Sequence, residues 1–114
     1  MPATSRAAKP PRTPPIAPRA DLELADPAVE IFIGDCRQKL RDLLPAHAGQ
    51  VALIFADPPF NWNRAYDEWK DSMPREDYLQ FTAQWLDLCR DLLKPGGSFW
   101  INIPDDTAAE IVMH

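Results

Sequence analysis

The spacing of apolar positions changes several times along the chain, and each change marks an element. Val29-Glu30-Ile31-Phe32-Ile33 is short, β-branched and aromatic, and it stops at Gly34-Asp35, which predicts a strand ending in a turn. Asp35 stands where a helix N-cap is needed. Cys36 to Leu44 then carries apolar residues at Cys36, Leu40, Leu43 and Leu44, a helical spacing that Pro45 is expected to close. Val51 to Ala56 is a continuous apolar run of strand length, the pattern of a strand covered on both faces in a parallel sheet. It runs directly into Asp57-Pro58-Pro59-Phe60. Neither proline can donate to a ladder and each restricts the residue before it, so the strand must end at Asp57 in a stiff loop that continues through Asn61, Trp62 and Asn63.

Farther on, Pro74 suits the first turn of a helix, and Glu76 and Asp77 complement its positive end. An apolar stripe at Tyr78, Phe81, Trp85, Leu88, Cys89 and Leu92 follows at helical spacing. Lys94-Pro95-Gly96-Gly97 ends that helix, and Ser98 to Ile103 predicts a third strand before Pro104. Strands separated by helices imply an α/β class, three-layer, with a mostly parallel sheet.

Composition bounds this picture. A chain of 114 residues fits one small domain, short of the roughly 150 of an open α/β nucleotide-binding domain. With 46 % apolar and 25 % charged residues it has the balance of a protein that folds. The first 20 residues hold six of the 13 prolines among Ala, Ser, Thr and basic residues, too little apolar surface to offset ordering. Residues 1–24 are therefore expected to be a disordered, basic, Pro-rich tail ahead of a folded part, 25–114. The tail is read as a solvated leader, with loose contact to a polyanion as the alternative.

Arg6, Lys9, Arg12 and Arg19, with no acid among residues 1–20, carry +4, so the total of −5 leaves −9 for residues 21–114. An acidic folded part argues against a complete DNA-binding surface, which needs clustered Lys and Arg. Cys36 and Cys89 lie far apart and His47 and His114 stand alone, so no metal site is expected and a reducing, cytoplasmic setting fits. No apolar run approaches the roughly 18 residues needed to span a membrane, and no membrane partner is expected.

The chemistry concentrates at Asp57-Pro58-Pro59-Phe60, at the carboxyl end of a buried strand, where open α/β sheets bind ligands. The exocyclic amine of a nucleobase is a poor nucleophile, because its lone pair is delocalised into the ring. Two acceptors aimed at its hydrogens favour the pyramidal, attacking form. Asp57 supplies one acceptor and the carbonyl of Pro58 the other, presented by a backbone that proline keeps stiff. Phe60 offers a ring for stacking on a flipped base, worth about 1–3 kcal/mol against an unstacking cost of a few.

These residues resemble the Asp-Pro-Pro-Tyr/Phe motif of adenine-N6 and cytosine-N4 DNA methyltransferases. The likeness extends over about residues 29 to 104, through Gly34-Asp35-Cys36 upstream and Leu93-Lys94-Pro95-Gly96-Gly97-Ser98 downstream. The motif alone has relatives in ribosomal-RNA and protein-glutamine methyltransferases; the three elements in this order are more specific. The resemblance implies a partial Rossmann-like methyltransferase fold, with 25–114 as the N-terminal part of a DNA methylase N-4/N-6 catalytic domain. It implies S-adenosylmethionine as methyl donor, double-stranded DNA with a flipped base as substrate, and cofactor contacts from Asp35, Cys36 and Asp57. The acid at position 57 resembles adenine-N6 enzymes, since many cytosine-N4 enzymes carry Ser there.

A departure accompanies the likeness. The fold normally has a glycine-rich turn ahead of the motif for the cofactor, and none of Gly34, Gly49, Gly96 and Gly97 forms one before Asp57. Either the enzyme is permuted, with that turn after the catalytic loop, or its N-terminus has been lost; permutation is favoured, so the expectation is a chain lacking a C-terminal half and inactive or in need of a second piece. The competing functions are a methyltransferase acting on RNA or a protein glutamine, and a non-catalytic remnant or binding module. Plainer readings of single residues also stand: Asp35 as an N-cap only, Cys36 as a small hydrophobe, and Trp62, Tyr66 and Trp69 as packing residues rather than a nucleic-acid-facing lid with Arg64 and Lys70.

Overall fold

The computed structural model describes residues 17–67 and 69–114. The chain runs β1 (Leu22–Ala25), β2 (Ala28–Ile31), α1 (Cys36–His47), β3 (Val51–Ala56), α2 (Arg75–Leu92) and β4 (Leu93–Ile101), then a 3₁₀ turn (Asp105–Thr107) and α3 (Ala108–Met113). The class is mixed α/β, and its central unit is β3-α2-β4, in which the two strands pair in parallel.

The stripe on α2 forms the core. Tyr78, Phe81, Trp85 and Cys89 are buried together, and the packed neighbours include Leu40 of α1, Ile54 and Ala56 of β3, and Phe99 and Ile101 of β4. Alternate residues of each strand thus meet the helix, as a pleated strand requires. The Trp85 and Phe99 rings meet edge to face, with centroids 6.4 Å apart. Each aromatic side chain so buried stabilises the fold by about 1.5–3 kcal/mol.

Lys94-Pro95-Gly96-Gly97 both stops α2 and opens β4. Val51 pairs with Leu93 but Leu53 pairs with Ser98, so a step of two residues on β3 is matched by five on β4. The excess is taken up where Gly96 adopts φ +74° and where a side chain on Gly97 would meet the Lys94 carbonyl at 3.0 Å and the Val51 carbonyl at 3.1 Å. From Ser98 onward the pairing is regular up to Ala56 with Ile101.

Four expectations change. Of the three expected layers the described residues fill two: α2 covers one face of the sheet, while Leu53, Phe55 and Trp100 on the other are 59, 68 and 65 % exposed. Continuous apolarity in β3 prepares both faces for burial, but the described residues place a helix against only one. The first expected strand, Val29 to Ile33, is found as β2 and pairs antiparallel with β1, from Leu22 opposite Ile31 to Ala25 opposite Ala28. A two-residue connection, Asp26-Pro27, makes that local pairing available without a crossover.

Strand β1 also begins within the expected tail of residues 1–24, so ordered structure starts before residue 25; residues 1–16 of that tail lie outside the described residues. Finally, Pro45 does not close α1, which continues to His47. A proline this near a helix end removes a single amide donor, and the turn beyond it is held by the Ala48 N–H donating to Leu44 O at 3.0 Å. The short α3 after Pro104 carried no signal in the periodicity.

Candidate active site

At their carboxyl ends the strand pairing of β3 and β4 stops at Ala56 and Ile101. The Asn102 N–H still donates to Ala56 O at 3.0 Å, and the next residue of β3's chain is Asp57. The Asn102 side-chain amide then donates to Asp57 Oδ1 at 3.1 Å. The other carboxylate oxygen and the Pro58 carbonyl accept no hydrogen bond among the described residues. The turn itself is anchored from below, because the buried Tyr78 hydroxyl on α2 donates to Pro59 O at 3.0 Å. Phe60 is half-buried, lies outside the core, and meets Trp62 edge to face at 5.1 Å. Asp57, Pro58 and Phe60 line one cavity of about 260 Å³ with Trp62, Arg64 and Tyr66.

The loop beyond Phe60 is organised by a residue that sequence reasoning did not single out. Asp71, 3 % exposed, accepts from the backbone N–H groups of Asn61 (2.9 Å), Trp62 (3.1 Å) and Arg64 (2.9 Å). Asn61 ties down the same segment, its side chain accepting from Met73 N–H at 2.6 Å and donating to Met73 O at 2.8 Å. Asn61 and Asn63 sit at φ 61° and 57°, left-handed conformations that Asn tolerates better than most residues. A carboxylate that satisfies three amides fixes a loop lacking a ladder of its own. Of the aromatics in question, Trp69 packs on Phe81 with centroids 5.0 Å apart, whereas Trp62 and Tyr66 are each half exposed at the cavity.

A second cavity, about 530 Å³, lies between the Ile33-Gly34-Asp35-Cys36 turn and Pro59, Trp69 and Phe81, with Tyr66 lining both cavities. The structure therefore brings Asp35 and Cys36 to the back of the same loop that carries Asp57. Asp35 also caps α1, accepting from Arg37 N–H at 2.9 Å, and pairs with the Arg37 guanidinium at 2.6 Å. The side-chain hydrogen bond from Arg37 holds the Asp35 carboxyl below its ordinary range. Arg37, likewise missed in the sequence, lies over the Phe81 ring at 5.0 Å and donates to Gln84 at 2.8 Å, which fastens α1 to α2. The Cys36 thiol is pushed up, first by desolvation and then by the charge of Asp35. Among the described residues no group of three or more His, Cys, Asp or Glu is placed to hold a metal ion, and no helix is long and apolar enough to cross a membrane.

A family model described as DNA methylase, covering the N6 and N4 methyltransferases, matches residues 51–114, from the first residue of β3 through both strand ends. The chain belongs to the DNA methylase family. Within it, the chain is 40 % identical over 77 residues to the Type II methyltransferase M.BamHI of Bacillus amyloliquefaciens, which covers 66 % of this chain and 18 % of that protein. It is 41 % identical over 56 residues to M.MjaVI of Methanocaldococcus jannaschii, 49 % of this chain and 29 % of the relative. M.HpaI of Haemophilus parainfluenzae matches at 32 % over 66 residues, 58 % and 21 % of the two chains. The chain thus spans less than a third of the length of each of these relatives. No solved structure matches it.

Proposed function

We propose that this chain forms the base-methylating edge of a DNA methyltransferase that uses S-adenosylmethionine and acts on an exocyclic amine, adenine N6 ahead of cytosine N4. One observation carries the reading: among the described residues Asp57 Oδ2 and the Pro58 carbonyl have no hydrogen-bond partner, on a turn braced by Tyr78 and Asn102, in a cavity shared with the Phe60 ring. Each acceptor takes one hydrogen of the amine. Their pull localises the nitrogen lone pair, so that the nitrogen would take the methyl group as the donor's sulfur–methyl bond breaks and a neutral thioether is released, and the surplus amine proton would pass to water at the open cavity. Asn102 keeps the carboxylate turned to the cleft. Phe60 stacks on the base and offsets part of the cost of removing it from the duplex.

The second cavity fits the adenosine end of the donor: Asp35 is an acceptor for hydroxyl groups at its rim, and Ile33, Trp69 and Phe81 give apolar walls. Bound there, S-adenosylmethionine supplies an electrophilic methyl group. Asp35 would serve the cofactor while also capping α1, since its carboxylate has more acceptor sites than the cap uses. Cys36 contributes as a small neighbour rather than as a nucleophile, in keeping with its raised pKa. In this reading residues 25–114 are part of a Rossmann-like catalytic domain. That the relatives are named Type II methyltransferases supports reading the activity as DNA methylation in a restriction-modification setting.

Transfer of labelled methyl groups to unmethylated DNA by the protein that carries this chain, followed by mass analysis of the nucleosides, tests the proposal. N6-methyladenine is the expected product. Asp57→Ala should lower transfer by about 10²–10³-fold, the scale of losing one aligned polar group at a reacting centre, with DNA binding retained. Undiminished transfer by that variant would remove the assignment, and N4-methylcytosine would correct the base.

A further inference from the structure

A base drawn to Asp57 brings its sugar and phosphate with it, and the neighbourhood is hostile to anions. Residues 21–114 carry −9, and Asp57 itself lines the cavity. A phosphate placed there needs a cation facing it. Arg64 is the one cation lining that cavity among the described residues. Of the other described arginines, Arg37 pairs with Asp35, Arg75 with Glu110, and Arg90 with Asp87 and Asp91, while Arg19 and Arg41 line no part of this cavity. No carboxylate among the described residues pairs with Arg64.

The position of Arg64 is also set in advance. Its N–H and that of Trp62 both donate to Asp71 Oδ2, while Asn63 N–H donates to the Asp71 carbonyl. The backbone from Asn61 to Arg64 is therefore ordered before any ligand arrives, which removes an entropic cost of binding. Trp62 meets Phe60 through an edge-to-face contact, a geometry that leaves ring faces for a base. Trp62 and Tyr66, both half exposed, complete the wall on which the cation stands.

We propose that the Asn61–Arg64 loop, held by Asp71, is a preformed receptor for the nucleotide bearing the target base, in which Arg64 takes that nucleotide's phosphate and Asp71 is the positioning residue. The inference rests on the reading of Asp57 above and adds a ligand group that Asp57 and Pro58 do not contact. Arginine suits the role, because its planar fork matches phosphate oxygens in pairs.

The test uses the full chain and two small probes, deoxyadenosine and deoxyadenosine 5′-monophosphate, followed through the indole N–H resonance of Trp62. The monophosphate should shift that resonance at a concentration about tenfold lower than the nucleoside, the effect of one charge-assisted contact. Arg64→Ala should abolish this preference without altering the rest of the spectrum, and Arg64→Lys should keep part of it. Asp71→Asn, which retains one acceptor oxygen, should weaken both probes and retain a dispersed spectrum. Equal binding of the two probes, no shift at Trp62 with either, or an undiminished preference in Arg64→Ala would each overturn the proposal. Because Asp57→Ala should preserve the preference for the monophosphate, failure here is distinguishable from failure of the catalytic reading.

Discussion

The two faces of the β3–β4 sheet are built from the same kinds of residue and have opposite surroundings. On one, Ile54, Ala56, Phe99 and Ile101 pack against the aromatic stripe of α2. On the other, Leu53, Phe55 and Trp100 are each more than half exposed. An apolar patch of this kind on a parallel pair is the exception, because parallel sheets are buried on both sides. The difference teaches that strand composition encodes the layers a strand is made for, whereas the packing of α2 alone sets which layer the described residues fill. The chemistry sits at neither face. Asp57 and Asn102 project at the strand ends, so the covered face supports the site by holding two strand termini in register.

The comparison breaks most sharply by removing the largest side chain from the covered side. Trp85→Ala leaves a cavity beneath Phe99 and should cost about 3–5 kcal/mol in urea denaturation. Trp100→Ala, one residue along the strand from Phe99 but facing away, should change stability by no more than about 0.5 kcal/mol. Equal losses would mean that the open face carries as much packing as the covered one. The contrast between the two tryptophans is thus a direct measure of the difference between the two faces.

A smaller effect is expected where the register itself is set. Gly97→Ala places a methyl group against two carbonyls and Leu93. Overpacking of this sort costs typically 1–3 kcal/mol. Because a one-residue slip exchanges the two faces of a strand, the variant should also lower the protection of Phe99 and Ile101 amides in hydrogen exchange. Retained protection at full stability would show that the five-for-two step at Val51 and Leu93 is not what aligns β4.

How much of this was legible in the sequence follows from the range over which each signal acts. The α2 stripe, the stop at Lys94-Pro95-Gly96-Gly97 and the end of β3 at Asp57 are local, written in helical spacing and in the stereochemistry of proline and glycine, and they appear as read. The count of layers and the partner of β2 depend on what lies across the sheet, which no spacing within a strand records. In the candidate site, Asp57, Pro58, Pro59 and Phe60 were legible as a motif. Asp71 and Arg37 were not, because each works through contacts 7 to 10 and 47 residues away in the chain. Asn102 left a trace, a polar residue between Ile101 and Ile103 at a strand end, that could have been paired with Asp57 once the strands were taken as parallel neighbours.

Beyond the sheet, the same asymmetry can be followed in the two thiols. Cys89 belongs to the covered core, and burial pushes its thiol up to about 11; Cys36 is exposed at the start of α1 with a thiol raised less far. At pH 8 an aromatic disulfide reagent should therefore consume Cys36 first, and Cys89 only with global opening of the core. Simultaneous labelling of both in the folded protein would place Cys89 outside the packed layer and undo the distinction between the two sides.

The smallest expected effect concerns how α1 is held to the covered side. The Asp35 carboxyl is held down by Arg37, so its folded pKa lies below the unfolded value of about 3.8. A depressed carboxyl contributes stability that is fully present above the unfolded pKa and is lost as pH falls through the folded one. The pair is largely solvent-exposed and screened, so the contribution is slight. It should nonetheless be localised: acidification below pH 4 should loosen the first turn of α1 and its contact through Arg37 with Phe81 and Gln84, while the environment of Trp85 stays unchanged. Arg37→Ala should remove that acid-sensitive step from the amide exchange of residues 37 to 39. If the step survives the substitution, the anchor of α1 lies in the Leu40 contact alone, and the charge at the rim of the second cavity is left free for a ligand.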